Sequence, residues 1–346
     1  MDLLPTQEQQ QIVDTAKHFL NKEFPVGAAV QGADADLRFG RSHLAQIAGL
    51  GWLGIGLAEE HGGVGYALPE EALLFVELGC NLMPPSLLGA VLGARLAAAS
   101  GADEILAGIL DGDTVVAVAA ARPGASLGAT VSGEFLAYEV DDADLLLLAD
   151  DSGAVLLPVA SLEDVEATAC IDPLLGAGIC RVENATPQAR VDAGRDNLFE
   201  RGSLLTSALM LGIAEATMDR SVAYAKEREQ YGKPIGSFQA IKHYCAEMAI
   251  RCESVRAMLY HASITLDSAD PAGHFDTHTV KALAGDASQM NANTAVQIHG
   301  GMGYTEEMDI HLFVKRAQVL ATLFGGERHH LRALLHAPRP DREAQQ

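Results

Sequence analysis

Two stretches of this chain carry residue types suited to a charged, planar ligand. The first runs Arg228-Glu-Gln230-Tyr231-Gly232-Lys233-Pro-Ile235-Gly236-Ser-Phe238-Gln239. Arginine offers a rigid fork of donors that matches a pyrophosphate. Tyr231 and Phe238 can lie against a ring system, and Gly232 and Gly236 let the backbone turn tightly or approach a ligand. The second stretch is Gln297-Ile-His299-Gly300-Gly301-Met-Gly303-Tyr304. Its glycine pair allows either close backbone approach or a helix C-cap. Arg228 also fits a structural arginine closing a helix hairpin, and the residues alone leave both readings open.

Other chemical patterns have plainer readings. Gly49-Leu-Gly51-Trp-Leu-Gly54 matches GxGxxG in letters. A dinucleotide fingerprint must follow a strand and open a helix, whereas the preceding Ser42–Ala48 has helical rhythm, so a helix C-cap and tight turn are expected. Asp141, Asp142 and Asp144 read as a solvated turn, because the glycine and bidentate glutamate of a calcium loop are missing. His299 reads as a satisfied polar residue. His329 and His330, adjacent on a helix, point in different directions, and no metal site is expected. No Gly-x-Ser-x-Gly or P-loop pattern occurs.

The elements that must position the two stretches are helical. Residues 7 to about 112 have helical patterning, with Thr6 as an N-cap and Ile12, Val13, Ala16, Phe19 and Leu20 on one face. Pro69-Glu-Glu opens another helix, with acids near its positive end, and Pro84-Pro85 divides the next two. From Thr114 short apolar runs lie between Gly, Asp and Pro, predicting a small β unit that ends near residue 192. Helix returns from about residue 197. Ile241, Cys245, Met248, Cys252, Val255, Leu259 and Ala262 alternate spacings of four and three, one apolar seam along a long helix. Neighbours at roughly 200–228, 275–297 and 306–323 complete an expected four-helix bundle. The expected division is therefore an N-terminal helical domain (1–113), a central β domain (114–196) and a C-terminal bundle (197–346), an α+β multidomain chain.

Composition narrows the partners. The 346 residues hold 24 Lys+Arg against 46 Asp+Glu, a formal charge of −22. Such a surface repels nucleic acid and anionic lipid, and an anionic substrate needs a local basic patch such as Arg228 with Lys233. Five cysteines, an odd number without CxxC spacing, imply no disulfide framework. The polar N-terminus lacks a signal-peptide core, and no uncharged apolar run reaches the ~18 residues a membrane span needs. A cytoplasmic, reduced protein is expected.

Taken in order, Leu57-Ala-Glu-Glu-His-Gly62-Gly63-Val-Gly65, the Arg228–Gln239 turn and the Gln297–Gly303 segment resemble motifs of the acyl-CoA dehydrogenase family, over nearly the whole chain. The resemblance implies the helix–β–helix domain order, FAD, and a dimer or tetramer. It implies FAD contacts for Arg228, Gln230, Tyr231, Ile235, Phe238, Gln239, Gln297, Gly300 and Gly301, made to the FAD of a neighbouring subunit. It also implies an acyl-CoA substrate, an electron-transferring flavoprotein as electron acceptor, and α,β-dehydrogenation, in which a carboxylate takes the α-proton while hydride leaves to the flavin.

The base departs from the pattern. In the commonest family arrangement it is a glutamate after the last bundle helix, and ungapped counting from Gln297 places it at Phe324. Glu327, three residues on, is expected to be solvated. A second arrangement uses a Glu-Arg pair early in the bundle's first helix. Glu200-Arg201 resembles it, with a spacing to Arg228 two residues longer. Glu200 is thus the candidate base, against the plain reading of an acidic residue favoured by a helix N-terminus. The family's flavin-lining Thr-Glu-Pro…Gly-Ser-Asp loop corresponds here to Ala121-Arg122-Pro123-Gly124-Ala-Ser126-Leu-Gly128. These departures resemble the smaller subunit of heteromeric acyl-CoA dehydrogenases, whose complexes act on bulky CoA thioesters including steroid side chains. Two alternatives follow: a self-sufficient homo-oligomer with Glu200 as base, or a non-catalytic partner completing a longer homologue's FAD site.

Overall fold

The computed structural model describes residues 5–27, 39–194 and 197–337, so the first four residues of the polar N-terminus lie outside it. The N-terminal helices are α1 (Gln7–Glu23), α2 (Arg41–Ala48), α3 (Leu68–Cys80), α4 (Pro85–Ser100) and α5 (Asp103–Leu110). Thr6 caps α1 as its sequence predicts. Its hydroxyl accepts from the Gln9 amide at 3.2 Å, and the Gln9 side chain accepts from the Thr6 amide at 2.9 Å. Gly49 ends α2, and Gly51 turns the chain at φ 74°, so the GxGxxG letters are a helix exit and not a cofactor loop.

Seven strands follow: β1 (Val116–Ala121), β2 (Val131–Tyr138), β3 (Leu145–Asp150), β4 (Gly153–Pro158), β5 (Asp164–Thr168), β6 (Ala177–Ala185) and β7 (Ala189–Asp192). They form one sheet in the order β5-β6-β2-β1-β3-β4-β7, with β1 and β3 parallel and the other pairs antiparallel. Asp144, in the acidic turn, accepts both guanidinium nitrogens of Arg41 at 2.9 Å and the Val115 amide at 2.8 Å. It is a clasp between α2 and the sheet.

The C-terminal helices are α6 (Leu198–Glu227), α7 (Gln239–Asp267), α8 (Ala272–His299), α9 (Ile310–Leu320) and α10 (Glu327–His336). The α7 seam buries Met248, Cys252, Val255, Leu259 and Ala262 against the bundle, while Ile241 and Cys245 are half-buried at its start. The fourth bundle helix is shorter than its apolar pattern predicts, because residues 306–309 fold as a turn before it.

One continuous apolar core joins all three parts: Leu88 and Leu92 of α4, Val116 and Leu147 of the sheet, and Leu205 and Leu209 of α6 belong to the same cluster. Helices α3 and α6 meet backbone to backbone. A Cβ on Gly79 would lie 2.1 Å from the Leu209 carbonyl oxygen, and one on Gly212 would lie 2.1 Å from that of Val76. The two backbones touch there, and nothing can pass between them. Two buried ion pairs cross the elements, Arg201 with Glu71 and Arg316 with Asp172. No helix among the described residues is long and apolar enough to cross a membrane.

Candidate functional site

The Arg228–Gln239 stretch is a two-residue β-hairpin between α6 and α7. Glu229 pairs with Pro234 and Gln230 with Lys233, leaving Tyr231 at φ 56° and Gly232 at φ 75° as its tip. Both tip residues are left-handed, the geometry that matches strand twist in such a turn. Glycine meets that demand without cost, whereas Tyr231 is held in a conformation that β-carbons disfavour. Tyr231 is 92% exposed, so burial does not explain why a tyrosine stands there.

Each residue singled out from the sequence can be placed. Arg228 follows α6 directly: its amide donates to the Tyr224 carbonyl and its carbonyl accepts from the Ile235 amide, both at 2.8 Å. Among the described residues no carboxylate pairs with its guanidinium. The Lys233 ammonium sits 4.5 Å over the Phe238 ring, and Tyr231 meets that ring edge-on at 6.1 Å. Gln230 and Gln239 are exposed, while Ile235 is buried. In the second stretch α8 ends at His299, and Gly300 follows at φ 60°, ψ −138°, a conformation essentially confined to glycine. Gln297, Gly300 and Gly301 are all exposed, with nothing within 4 Å of a Cβ on either glycine. His299 is structural, as expected: its Nδ1 donates to the Ala295 carbonyl at 2.7 Å and its ring stacks on Tyr224.

The fold brings the two stretches together. Ile235 shares one small core with Val296 and Ile298, and Phe238 packs on the same cluster. The exposed cationic hairpin and the exposed glycine turn are therefore two rims of one support.

The candidate base lies apart from them, at the N-terminus of α6. Asn197 caps that helix, its side-chain oxygen accepting from the Phe199 amide at 3.1 Å. Glu200 and Arg201 diverge: Arg201 turns inward to Glu71, while Glu200 is hydrogen-bonded to Nδ1 of His274 in the first turn of α8. Phe324 is buried at φ 50°, and its ring lies against Gly202. Glu327 is exposed, as expected, in the first turn of α10. The loop carrying Phe324 is held from behind. The Lys281 ammonium donates to the carbonyls of Leu320 and Leu323 at 3.2 and 2.7 Å, and Ser203 donates to the Phe324 carbonyl at 2.9 Å. Burial lowers the Lys281 pKa to about 7. Sequence reasoning missed Lys281, His274 and His278; only the one-turn spacing of the two histidines was there to be read.

The loop after β1 folds back on its own sheet. Ser126 bridges Ser132, Ala125 donates to the Arg122 carbonyl at 3.0 Å, and Arg122 pairs with Glu134 at 3.1 Å.

Comparison with known proteins agrees with this architecture. The acyl-CoA dehydrogenase N-terminal domain model matches residues 6–110 and the C-terminal domain model matches 196–337. The chain is 34% identical to acyl-CoA dehydrogenase IpdE2 of Mycolicibacterium smegmatis, over 80% of this chain and 81% of that one. It is 28% identical to the Mycobacterium tuberculosis IpdE2, over 96% and 98%. Among solved structures, a chain of the ChsE4-ChsE5 complex of Mycobacterium tuberculosis superposes with a TM-score of 0.83 at 25% identity, covering 98% of this chain and all of that one. The chain belongs to the acyl-CoA dehydrogenase family.

Proposed function

We propose that this chain is one subunit of an oligomeric, FAD-dependent acyl-CoA dehydrogenase, whose hairpin completes the FAD site of a longer homologous subunit while its own half performs no proton abstraction. The observation that carries this reading is at Phe324. The residue in the usual place of the base is an apolar ring, and two positions beyond Glu200, where the alternative helix base would fall, stands Gly202, packed against that ring. Neither can take a proton.

The hairpin fits the donated half of a dinucleotide site. Arg228 and Lys233 place fixed positive charge on an exposed turn of a strongly acidic chain, and Gly300 and Gly301 leave open space for a ligand against the backbone. Bound there, FAD supplies the hydride acceptor; this chain's residues hold its anionic part and orient it. Exposed Tyr231, Ile250, Leu283, Met290 and Tyr304 lie on the hairpin, α7, α8 and the turn after α8, apolar and aromatic side chains that a subunit contact would cover. The ChsE4-ChsE5 assembly supports a partnership between related chains. The substrate is a CoA thioester, and a bulky acyl group such as a steroid side chain fits the heteromeric reading. An electron-transferring flavoprotein accepts the electrons. The setting is cytoplasmic.

A second reading rests on the Glu200–His274 contact. A carboxylate hydrogen-bonded to an imidazole is an acid–base pair, and it would make Glu200 the base of a self-sufficient enzyme. Glu200→Gln separates the two readings in the flavin-loaded assembly. The partner reading expects acyl-CoA reduction of the flavin within a few-fold of wild type. A loss of about a hundredfold or more, within the roughly 10²–10⁴-fold share usual for one general base, assigns the chemistry to Glu200 and overturns it.

A further inference from the structure

The N-terminal turns of three helices converge beside Phe324, and they carry Glu200 of α6, His274 and His278 of α8, and His329 and His330 of α10. His274 and His278 are one turn apart and share a face. The adjacent pair His329–His330 alone makes no site. What changes its meaning is His278, which approaches both.

The hydrogen bonds fix the protons. Nε2 of His330 lies 3.0 Å from the Phe324 carbonyl oxygen and 3.2 Å from that of Gly325, so Nε2 carries the hydrogen and donates. Nδ1 of a neutral His330 is then a lone pair. Nδ1 of His278 lies 2.7 Å from it and must be the donor. That leaves Nε2 of His278 as a bare lone pair. His278 is 2% exposed, and this atom is buried without a hydrogen-bond partner among the described residues. Nε2 of His329 is likewise buried without a hydrogen-bond partner, with an Asp151 carboxylate oxygen 3.8 Å away. A satisfied core histidine does not look like this.

We propose that His278, His329, His274 and Glu200 bind a divalent transition cation of the zinc, cobalt or nickel class, with His330 as the outer residue that fixes the His278 tautomer. Ligand atoms of Glu200, His274 and His278 lie within 4.8 Å of one another, and so do those of His278, His329 and His330. Imidazole nitrogens bind zinc at about 2.0–2.1 Å, so the two triads must draw together around His278, the residue they share. A ligating histidine usually donates its far N–H to an acceptor that orients the ring, and here that acceptor is Nδ1 of His330. Glu200 contributes the one negative charge of the set. Imidazole and carboxylate ligands without thiolate select this class of metal over calcium or magnesium. The proposal rests on the reading in which Glu200 transfers no proton, since a metal-bound carboxylate is not free to act as base.

The test is calorimetric titration of the full, untagged, chelator-treated chain with Zn²⁺, and with Co²⁺ followed by its visible ligand-field absorption. One equivalent bound at micromolar affinity or tighter is expected, weakened at least tenfold in His278→Ala and in His329→Ala. Because His278 is buried, half-exposed His274→Ala provides a variant that keeps the fold, and it should also weaken binding. Absence of stoichiometric binding in the wild-type chain overturns the proposal, as does binding unchanged in His274→Ala and His329→Ala. Metal binding is read without turnover, so its outcome is separate from the Glu200→Gln rate.

Discussion

The Phe324 ring occupies the space into which a side chain at Gly202 would project: a Cβ built on Gly202 would lie 2.4 Å from two of its ring carbons. The two positions at which the family resemblance would place a base are thus locked together by an apolar contact. Gly202→Ala forces the ring or α6 to move and is expected to destabilise the chain by about 1–3 kcal/mol. In the double variant with Phe324→Ala, the Gly202→Ala penalty should largely disappear. Urea unfolding of the four proteins of this cycle measures the coupling, and additive effects would remove the contact from the account.

Arg228→Ala removes the fork expected to hold the cofactor's pyrophosphate. The chain's melting temperature should change little, because the side chain is exposed. Flavin retained by the assembly through gel filtration should fall at least tenfold, and Arg228→Lys should recover only part of it, since a point charge lacks the bidentate geometry.

Tyr231→Asn places the residue type that left-handed hairpin tips prefer. It should stabilise the chain by about 0.5–1 kcal/mol while lowering flavin retention, because the tyrosine is exposed and strained for binding and not for folding. A variant that gains stability and keeps full flavin would show that the Tyr231 ring does not serve the cofactor.

Glu77 lies between α3 and neighbouring helices, and burial, reinforced by Glu215 and opposed by Lys17, raises its pKa to about 7. Its folded pKa exceeds the unfolded value near 4.5. The folded state therefore binds the proton more tightly, and this stabilisation is full below pH 4.5 and lost as pH rises through 7. The loss is on the order of 3 kcal/mol. Glu77→Gln should flatten this part of the stability–pH curve and exceed wild type at pH 8 in urea unfolding. A variant that tracks wild type at every pH would contradict the assignment.

Within the buried pair of Arg201 and Glu71, with side chains 4% and 2% exposed, the charges are deeply desolvated. Glu71→Gln removes a buried carboxylate hydrogen-bonded to Arg201, which also has Asp267 3.6 Å away, and should cost about 3–5 kcal/mol in urea unfolding. A cost below 1 kcal/mol would show that the pair is not structural.

Local signals made much of this fold readable. The α7 seam, the Thr6 cap and the runs that became β1 to β4 each carry their periodicity within a few residues. β5 and β6 escaped because Asp164–Thr168 is an exposed edge strand with polar residues, and Ala177–Ala185 interleaves Gly, Arg, Glu and Asn with its buried positions. The hairpin was legible as a turn, since Tyr231-Gly232 sits between two helical patterns. Its shared support with Val296 and Ile298 was not, because that contact depends on how α6, α7 and α8 pack. For the same reason no local pattern announces the Phe324–Gly202 contact or the His278–His330 hydrogen bond. Each joins residues that only the closed bundle brings together.

The central claim is that this chain donates half of a FAD site and lacks a working half of its own. The most direct measurement is the visible spectrum of the chain purified alone, and again after co-expression with a longer homologue from the same source. A colourless chain that gains flavin only in the complex is the predicted result. A full complement of yellow flavin in the chain alone, bleached by an acyl-CoA, would contradict it.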